Sequence, residues 1–152
     1  MKKYILSLLI IVAAIQTTVA LQENPALFVM DLLKSRFRTK TENGEYGEWR
    51  KWEKLDNTMG IYQALNGDGK DVIKFVNMKK KVLFKTYKYS KVDSETKDEV
   101  QSMIFEGTDN YNEPIKVVVS YYPSSASLRT AKWLKITEIS KNYEREYEAK
   151  YL

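Results

Sequence analysis

The residue types that carry most enzyme chemistry are missing from this chain of 152 residues. It contains no histidine and no cysteine. Without them, neither a Ser-His-Asp nor a Cys-His nucleophile can be assembled, and the usual zinc ligand sets are excluded. Among the 20 aspartates and glutamates, no pair is set apart by its context as the acid and base of a hydrolase. We therefore predict no catalytic residue and no enzyme activity, and keep a hydrolase that uses carboxylates alone as a third hypothesis.

Two short motifs resemble reactive sites but lack the residues that those sites need. Residues 94–97 fit the Ser-x-x-Lys pattern of acyl-transfer enzymes, but the accompanying Ser-Asp-Asn and Lys-Thr-Gly elements are absent. Residues 66–71 resemble a calcium loop, yet the fifth position is Lys70 and the twelfth, which requires a glutamate, is Asn77. We predict a solvated loop for the first motif, a hairpin turn for the second, and no metal or cofactor.

Aromatic side chains are the remaining candidates for ligand contact. Exposed Trp and Tyr rings can stack on sugar rings or cations. The alternative is that these rings are ordinary strand and core residues, which β-sheets favour anyway. Trp49 and Trp52, three residues apart, would face opposite sides of a regular strand, which predicts that one of them is buried. The candidate ligand-binding residues are Trp49, Trp52, Tyr121, Tyr122 and Trp133.

Alternating apolar and polar residues, bounded by turn residues, recur from about Tyr46 onward and predict antiparallel strands. In the clearest stretch, over residues 70–78, Ile73 and Phe75 share one face, and the preceding Asn-Gly-Asp-Gly at 66–69 predicts a tight turn. Further strands are predicted over 81–90, 100–106, 115–121 and 133–140, with an exposed charged loop over 91–99. The pattern indicates an all-β domain, either a small barrel or a sandwich of about seven or eight strands.

The last segment of the chain fits two periods. Tyr143, Tyr147 and Tyr151 are spaced by four and would share one face of a helix, but the same residues alternate with charged ones as in a strand. Because Lys141-Asn142 fits a two-residue turn after the preceding strand, we favour a closing hairpin.

The segment over residues 25–37 also shows a helical spacing. Val29, Leu33 and Phe37 recur every four residues. This spacing predicts a short helix or an amphipathic lead-in segment before the first strand.

Met1 to Ala20 have the features of a secretory signal peptide. Lys2 and Lys3 give a positive start, an apolar run follows over residues 5–15, and small residues precede a cleavage point near Leu21. The apolar run is shorter than the roughly 20 residues that span a bilayer. We expect cleavage, export to the periplasm or beyond, and one β-rich domain over residues 21–152, with no membrane attachment after cleavage.

The charge pattern gives no sign of a nucleic-acid partner. The formal net charge of +5 falls to +3 once Lys2 and Lys3 are removed, and basic and acidic residues alternate along the chain. Nucleic-acid binding would require a clustered basic stripe. We therefore predict no nucleic-acid partner.

A series of short motifs runs from about Tyr46 to Leu152. They are Gly47-Glu48-Trp49-Arg50-Lys51-Trp52, Val72-Ile73-Lys74-Phe75, Leu83-Phe84-Lys85-Thr86-Tyr87, Asp109 before Ile115-Lys116-Val117-Val118-Val119, and Trp133-Leu134-Lys135-Ile136-Thr137. In this order they resemble a group of small, mostly uncharacterised exported proteins common in Bacteroidota, which share a Trp-x-x-Trp element. The resemblance implies export and an antiparallel β-fold, and it carries over no functional residue.

These observations lead to a non-catalytic exported module with a binding or structural role. Its partner would be a cell-envelope glycan or protein, or a small apolar molecule held inside a barrel. The alternative from another class is a small eight-stranded outer-membrane barrel, which needs an apolar lipid-facing band.

Overall fold

The computed structural model describes residues 26–62 and 71–152, which form eight antiparallel strands and no helix. The strands are β1 (Ala26–Thr39), β2 (Glu53–Tyr62), β3 (Val72–Asn77), β4 (Val82–Lys97), β5 (Val100–Thr108), β6 (Pro114–Tyr122), β7 (Trp133–Ser140) and β8 (Tyr143–Tyr151). Each strand pairs with the next along the chain, and β1 pairs with β8, so the sheet closes into a barrel. The all-β prediction is confirmed, and of its two architectures the barrel is the one observed.

The short helix predicted over residues 25–37 is wrong, because β1 covers this segment from Ala26 onward. Against β8, the register of β1 shifts between Leu32 and Lys34, where β1 advances by two residues and β8 by one, which marks a β-bulge at Leu33. The extra residue interrupts the inward and outward alternation of the strand. A strand interrupted in this way no longer shows a period of two, and its apolar residues imitate the spacing of a helix.

The exposed loop predicted over residues 91–99 is also wrong, because β4 extends to Lys97 and forms a hairpin with β5. Asp98 and Glu99 make the turn, with φ angles of 50° and 60°. Two-residue hairpin turns of the favoured type need positive φ at both positions, for which Asn-Gly is the usual signal. Every residue from Ser90 to Glu99 is exposed, so no buried face imposed an alternating pattern.

The closing hairpin is confirmed, since β7 and β8 pair directly across Lys141 and Asn142. Tyr147 of β8 is buried inside the barrel. The turn predicted over residues 66–69 lies outside the described residues.

The barrel interior is packed with apolar and aromatic side chains. Phe75 lies at its centre, with ring centroids 5.7 Å from Tyr87 and 5.8 Å from Tyr147. Burying this apolar surface drives folding, and the protein has no disulfide to help. The fully buried apolar side chains are Tyr147, Phe75, Met30, Leu32, Met59, Ile61, Ile73, Ile136, Val117 and Val119.

One glycine is required where two strands approach closely. Gly107 of β5 pairs with Tyr89 beside a second register shift, between Tyr89 and Lys91. A Cβ atom at Gly107 would lie 1.8 Å from the backbone oxygen of Lys88. Only a residue without a side chain therefore fits this position.

Candidate functional site

The outer surface of the barrel carries a groove of about 540 Å³ where β7, β8 and β1 lie side by side. Trp133, at the start of β7, and Trp52, just before β2, both line it. We call it the Trp52–Trp133 groove. The β-bulge adds Leu33 to its lining: Leu32 is buried in the barrel, whereas Leu33 points outward and is half-exposed. The bulge therefore supplies an apolar contact without disturbing the interior.

Trp52 is held in place by arginine and lysine side chains that point outward from β1. The chain after β1 turns back along this strand, with the N–H of Gly47 donating to the oxygen of Thr39 at 2.9 Å. The Arg36 guanidinium then contacts two rings, 4.6 Å from the centroid of Trp49 and 4.7 Å from that of Trp52. Such cation–π contacts each contribute roughly 0.5–2 kcal/mol, depending on solvent exposure.

The same arrangement repeats on either side of Arg36. Arg38 lies 4.1 Å from the Tyr46 ring centroid and 4.5 Å from that of Trp49, and Lys34 lies 5.0 Å from that of Trp52. We call this alternation of β1 cations and aromatic rings the cation–aromatic ladder. It fixes the orientation of the Trp52 ring.

Carboxylates of β8 contact the opposite side of the ladder. Arg36 donates two hydrogen bonds to Glu146 Oε2, at 2.8 Å from Nε and 2.6 Å from Nη2. Arg38 makes the same pair of bonds to Glu144, and Lys34 forms an ion pair of 2.7 Å with Glu148. Because β1 and β8 close the barrel, these three pairs join its first and last strands.

Trp133 forms the other aromatic wall of the groove. Its ring stacks on that of Tyr122, with centroids 6.1 Å apart and ring planes 10° from parallel. The side chain is nevertheless 42% exposed. Lys132 Nζ lies 5.6 Å from the Tyr122 ring centroid and also lines the groove. An indole that is supported by a second ring and still exposed is suited to stacking on a flat ligand.

The five predicted aromatic residues divide between the groove, its supports and the core. Trp52 and Trp133 line the groove, whereas Trp49 and Tyr122 pack behind them. Tyr121 packs against the hydrophobic core instead. Neither Trp49 nor Trp52 is buried, so the expectation of one buried indole is wrong. Both precede β2 in a segment that is not a regular strand, and strand alternation does not apply there.

Both carboxylates in the groove are ion-paired. Glu146, whose side chain is 10% exposed, accepts a hydrogen bond from Lys135 at 3.2 Å in addition to those from Arg36. Burial alone would raise the pKa of Glu146, but the hydrogen bonds from Arg36 and Lys135 outweigh it and hold the pKa below its usual value. Glu146 is therefore ionised at neutral pH, and Glu148 is paired with Lys34.

The barrel also contains a buried polar cluster that no sequence pattern predicts. Glu138 of β7 is 0% exposed, and its two carboxylate oxygens each accept a bond of 2.9 Å from Lys85 Nζ. The hydroxyl of Tyr87 donates to one oxygen at 3.0 Å, and that of Tyr147 donates to the other at 3.1 Å. We call these four residues the Glu138 cluster.

Two tyrosines of the Glu138 cluster resist ionisation. Burial, followed by the negative charge of Glu138, raises the pKa of Tyr87 far above its usual value. The same causes, in the same order, raise the pKa of Tyr147. Both hydroxyls therefore remain donors at any physiological pH, so that every hydrogen bond to the carboxylate is kept.

A second groove, of about 580 Å³, lies on the outside of β5, β6 and β7. None of its lining residues is aromatic, and it includes the ion pair between Lys116 and Glu106. It lacks a stacking surface and is a weaker candidate for ring recognition.

In residues 26–62 and 71–152, no group of three or more carboxylates is placed to hold a metal ion. No helix among them is long and apolar enough to cross a membrane.

Comparison of the chain with protein-family models, curated proteins and solved structures finds no match. The geometry of the chain itself therefore carries the functional argument.

Proposed function

We propose that the protein is an exported, non-catalytic binding module that holds a glycan chain in the Trp52–Trp133 groove. The observation that carries the proposal is the half-exposed Trp133 ring, supported by Tyr122 and placed in the same groove as Trp52. Sugar rings present apolar C–H faces that stack on indoles and a rim of hydroxyls that bond to charged side chains. The groove offers both kinds of contact.

The rigidity of the groove also supports binding. Arg36 is fixed on one side by two indoles and on the other by Glu146. Trp133 is fixed by its stacked neighbour. Little side-chain freedom would be lost when a ligand binds, which raises the affinity that a given contact area can provide.

The carboxylates of the groove favour binding over hydrolysis. Glu146 and Glu148 are two residues apart on one face of β8, which places their backbones about 7 Å apart, and side chains at this spacing can reach the carboxyl separations of glycosidases. A general acid, however, needs a raised pKa. Here the pKa of Glu146 is lowered and both groups are paired with cations. The hydrolase hypothesis is therefore less well supported.

Two other hypotheses fit the geometry less well. A small apolar ligand would need space in the barrel interior, where Phe75, Tyr87 and Tyr147 are in contact. An outer-membrane barrel would need an apolar outer band. The outward faces of β1 and β8 instead carry three cation–carboxylate pairs.

Isothermal titration calorimetry against bacterial envelope polysaccharides and peptidoglycan fragments tests the proposal. We expect at least one of these glycans to bind. Trp133→Leu and Trp52→Leu should each lower the affinity of the protein for that glycan about tenfold. Tyr111→Leu is the matched control, because Tyr111 is an aromatic residue that is 86% exposed and does not line the groove. Far-ultraviolet circular dichroism confirms folding of each variant. The proposal fails if no member binds, or if Trp133→Leu binds as tightly as the wild type.

A further inference from the structure

We infer that the glycan held by the Trp52–Trp133 groove carries carboxylates, as a chain of uronic acids does. The inference rests on the proposed function and adds the chemical class of the ligand. It comes from the balance of charges around the groove, where cations outnumber carboxylates.

Three cations line the groove, against two carboxylates. The cations are Arg36, Lys132 and Lys135, and the carboxylates are Glu146 and Glu148. Glu148 is paired with a further cation, Lys34 of β1. With Lys34 counted, and with Glu99, whose carboxylate accepts a 3.5 Å hydrogen bond from Tyr122 behind Trp133, the groove and its immediate surroundings hold four positive and three negative side chains.

The two carboxylates are fully engaged by three of these cations. Arg36 and Lys135 both bond to Glu146, and Lys34 bonds to Glu148. Lys132 forms no ion pair with a carboxylate among the described residues, and its Nζ lies over the Tyr122 ring. It is exposed and is the immediate chain neighbour of Trp133. A cation beside a stacking ring, with no anion of its own, is placed to pair with an acidic group on the stacked ligand.

Lys135 adds a second positive side chain on the same outer face of β7. It shares Glu146 with Arg36, which already donates two shorter hydrogen bonds to that carboxylate. Lys135 can therefore exchange its 3.2 Å bond for one to a ligand carboxylate while Glu146 stays paired. A neutral sugar would stack equally well on Trp133 but would leave this excess positive charge uncompensated.

The deciding experiment compares acidic sugars with an esterified sugar, a neutral sugar and an acidic peptide. The probes are hexagalacturonate, its fully methyl-esterified form, an alginate hexamer, neutral cellohexaose and hexaglutamate, each titrated by calorimetry into the mature protein. We expect the acidic hexasaccharides to bind at least about tenfold more tightly than the methyl ester and cellohexaose. Raising the salt from 50 to 500 mM should remove most of that difference, because exposed charge pairs are screened.

Two lysine variants test whether the preference for acidic sugars arises in the groove. Lys132→Gln should lower the affinity for the preferred acidic hexasaccharide about threefold to fivefold, as expected for one exposed ion pair, and lower the affinity for the methyl ester by a smaller factor. Lys88→Gln is the matched control, because Lys88 is an exposed lysine of β4 that does not line the groove. This variant should bind the acidic hexasaccharide with the affinity of the wild type.

The outcomes separate the two proposals. Equal binding of acid and ester would overturn the acidic preference and leave glycan binding in place. Binding of hexaglutamate as tight as that of the acidic sugars would also overturn it, because the surface would then be a general polyanion site. If none of the sugars binds, this inference is overturned, and the panel of envelope glycans decides the proposed function separately.

Discussion

Replacing Glu138 by glutamine should cost about 3 kcal/mol of folding free energy. The substitution keeps the shape of the side chain but removes its charge, and the amide nitrogen cannot accept the bonds that Lys85 and a tyrosine now donate. Breaking a buried ion pair from one side typically costs about 3–5 kcal/mol, since the remaining charge is left without its partner. The Lys85 side chain is 21% exposed and regains some hydration, so the lower end of that range applies.

Urea denaturation followed by tryptophan fluorescence measures this loss directly. For a chain of this length, 3 kcal/mol corresponds to a fall in Tm of about 6–12 °C. Glu148→Gln provides the control, because Glu148 is half-exposed and its pair with Lys34 should contribute less than about 1 kcal/mol.

A double-mutant cycle then tests the cause. With Lys85→Met added, Glu138→Gln no longer leaves an unpaired ammonium. The double variant should therefore lose less folding free energy than the two single variants lose in sum. The reasoning is refuted if Glu138→Gln costs less than about 1 kcal/mol, or if the two substitutions are additive.

Two more predictions concern the interior and the β4–β5 contact. Burial, followed by the charge of the neighbouring carboxylate, raises the pKa of Tyr87 and Tyr147 above the usual value of about 10. The protonated hydroxyls therefore contribute fully to the free energy of unfolding below pH 10, and this contribution falls as the pH rises further. Urea melts at pH 8, 10 and 11 should show the loss, and equal stability at all three values would contradict it. Gly107→Ala should cost at least about 3 kcal/mol or prevent folding, since the new methyl group would collide with the backbone oxygen of Lys88. Gly47→Ala is the control, because its Cβ would lie 3.4 Å from the nearest atom, and its Tm should be close to that of the wild type. Similar melting temperatures for the two variants would disprove the steric account.

The strands that the sequence predicts are those with one face in the core. Ile73 and Phe75 of β3, or Val117 and Val119 of β6, point inward at every second position and leave a clear period of two. Where the strand is exposed on both faces, as at the outer end of β4, no burial constrains the sequence and the pattern disappears. Where a bulge adds a residue, as in β1, the period is shifted.

The candidate site was predictable by residue type but not by arrangement. Aromatic content identified Trp52 and Trp133, which lie 81 positions apart in the chain and line the same groove. Arg36 and Glu146 are 110 positions apart and meet only because the barrel closes. The signal that could have located this junction is the match between two charge patterns: cations at every second residue of 34–38, and glutamates at every second residue of 144–148.

The residues that form the groove also close the barrel, and this limits which substitutions can report on binding. Arg36 and Glu146 join β1 to β8 as well as lining the groove, so their removal would weaken the barrel closure and lower ligand affinity together. Trp133 is the first residue of β7 and Lys132 directly precedes it; both lie outside the β1–β8 pairs and contact Tyr122 instead. Their substitution can change affinity while the closure stays intact. A loss of binding in these two variants at unchanged Tm would therefore be caused by lost ligand contacts, whereas the same loss in an Arg36 variant would not distinguish the two causes.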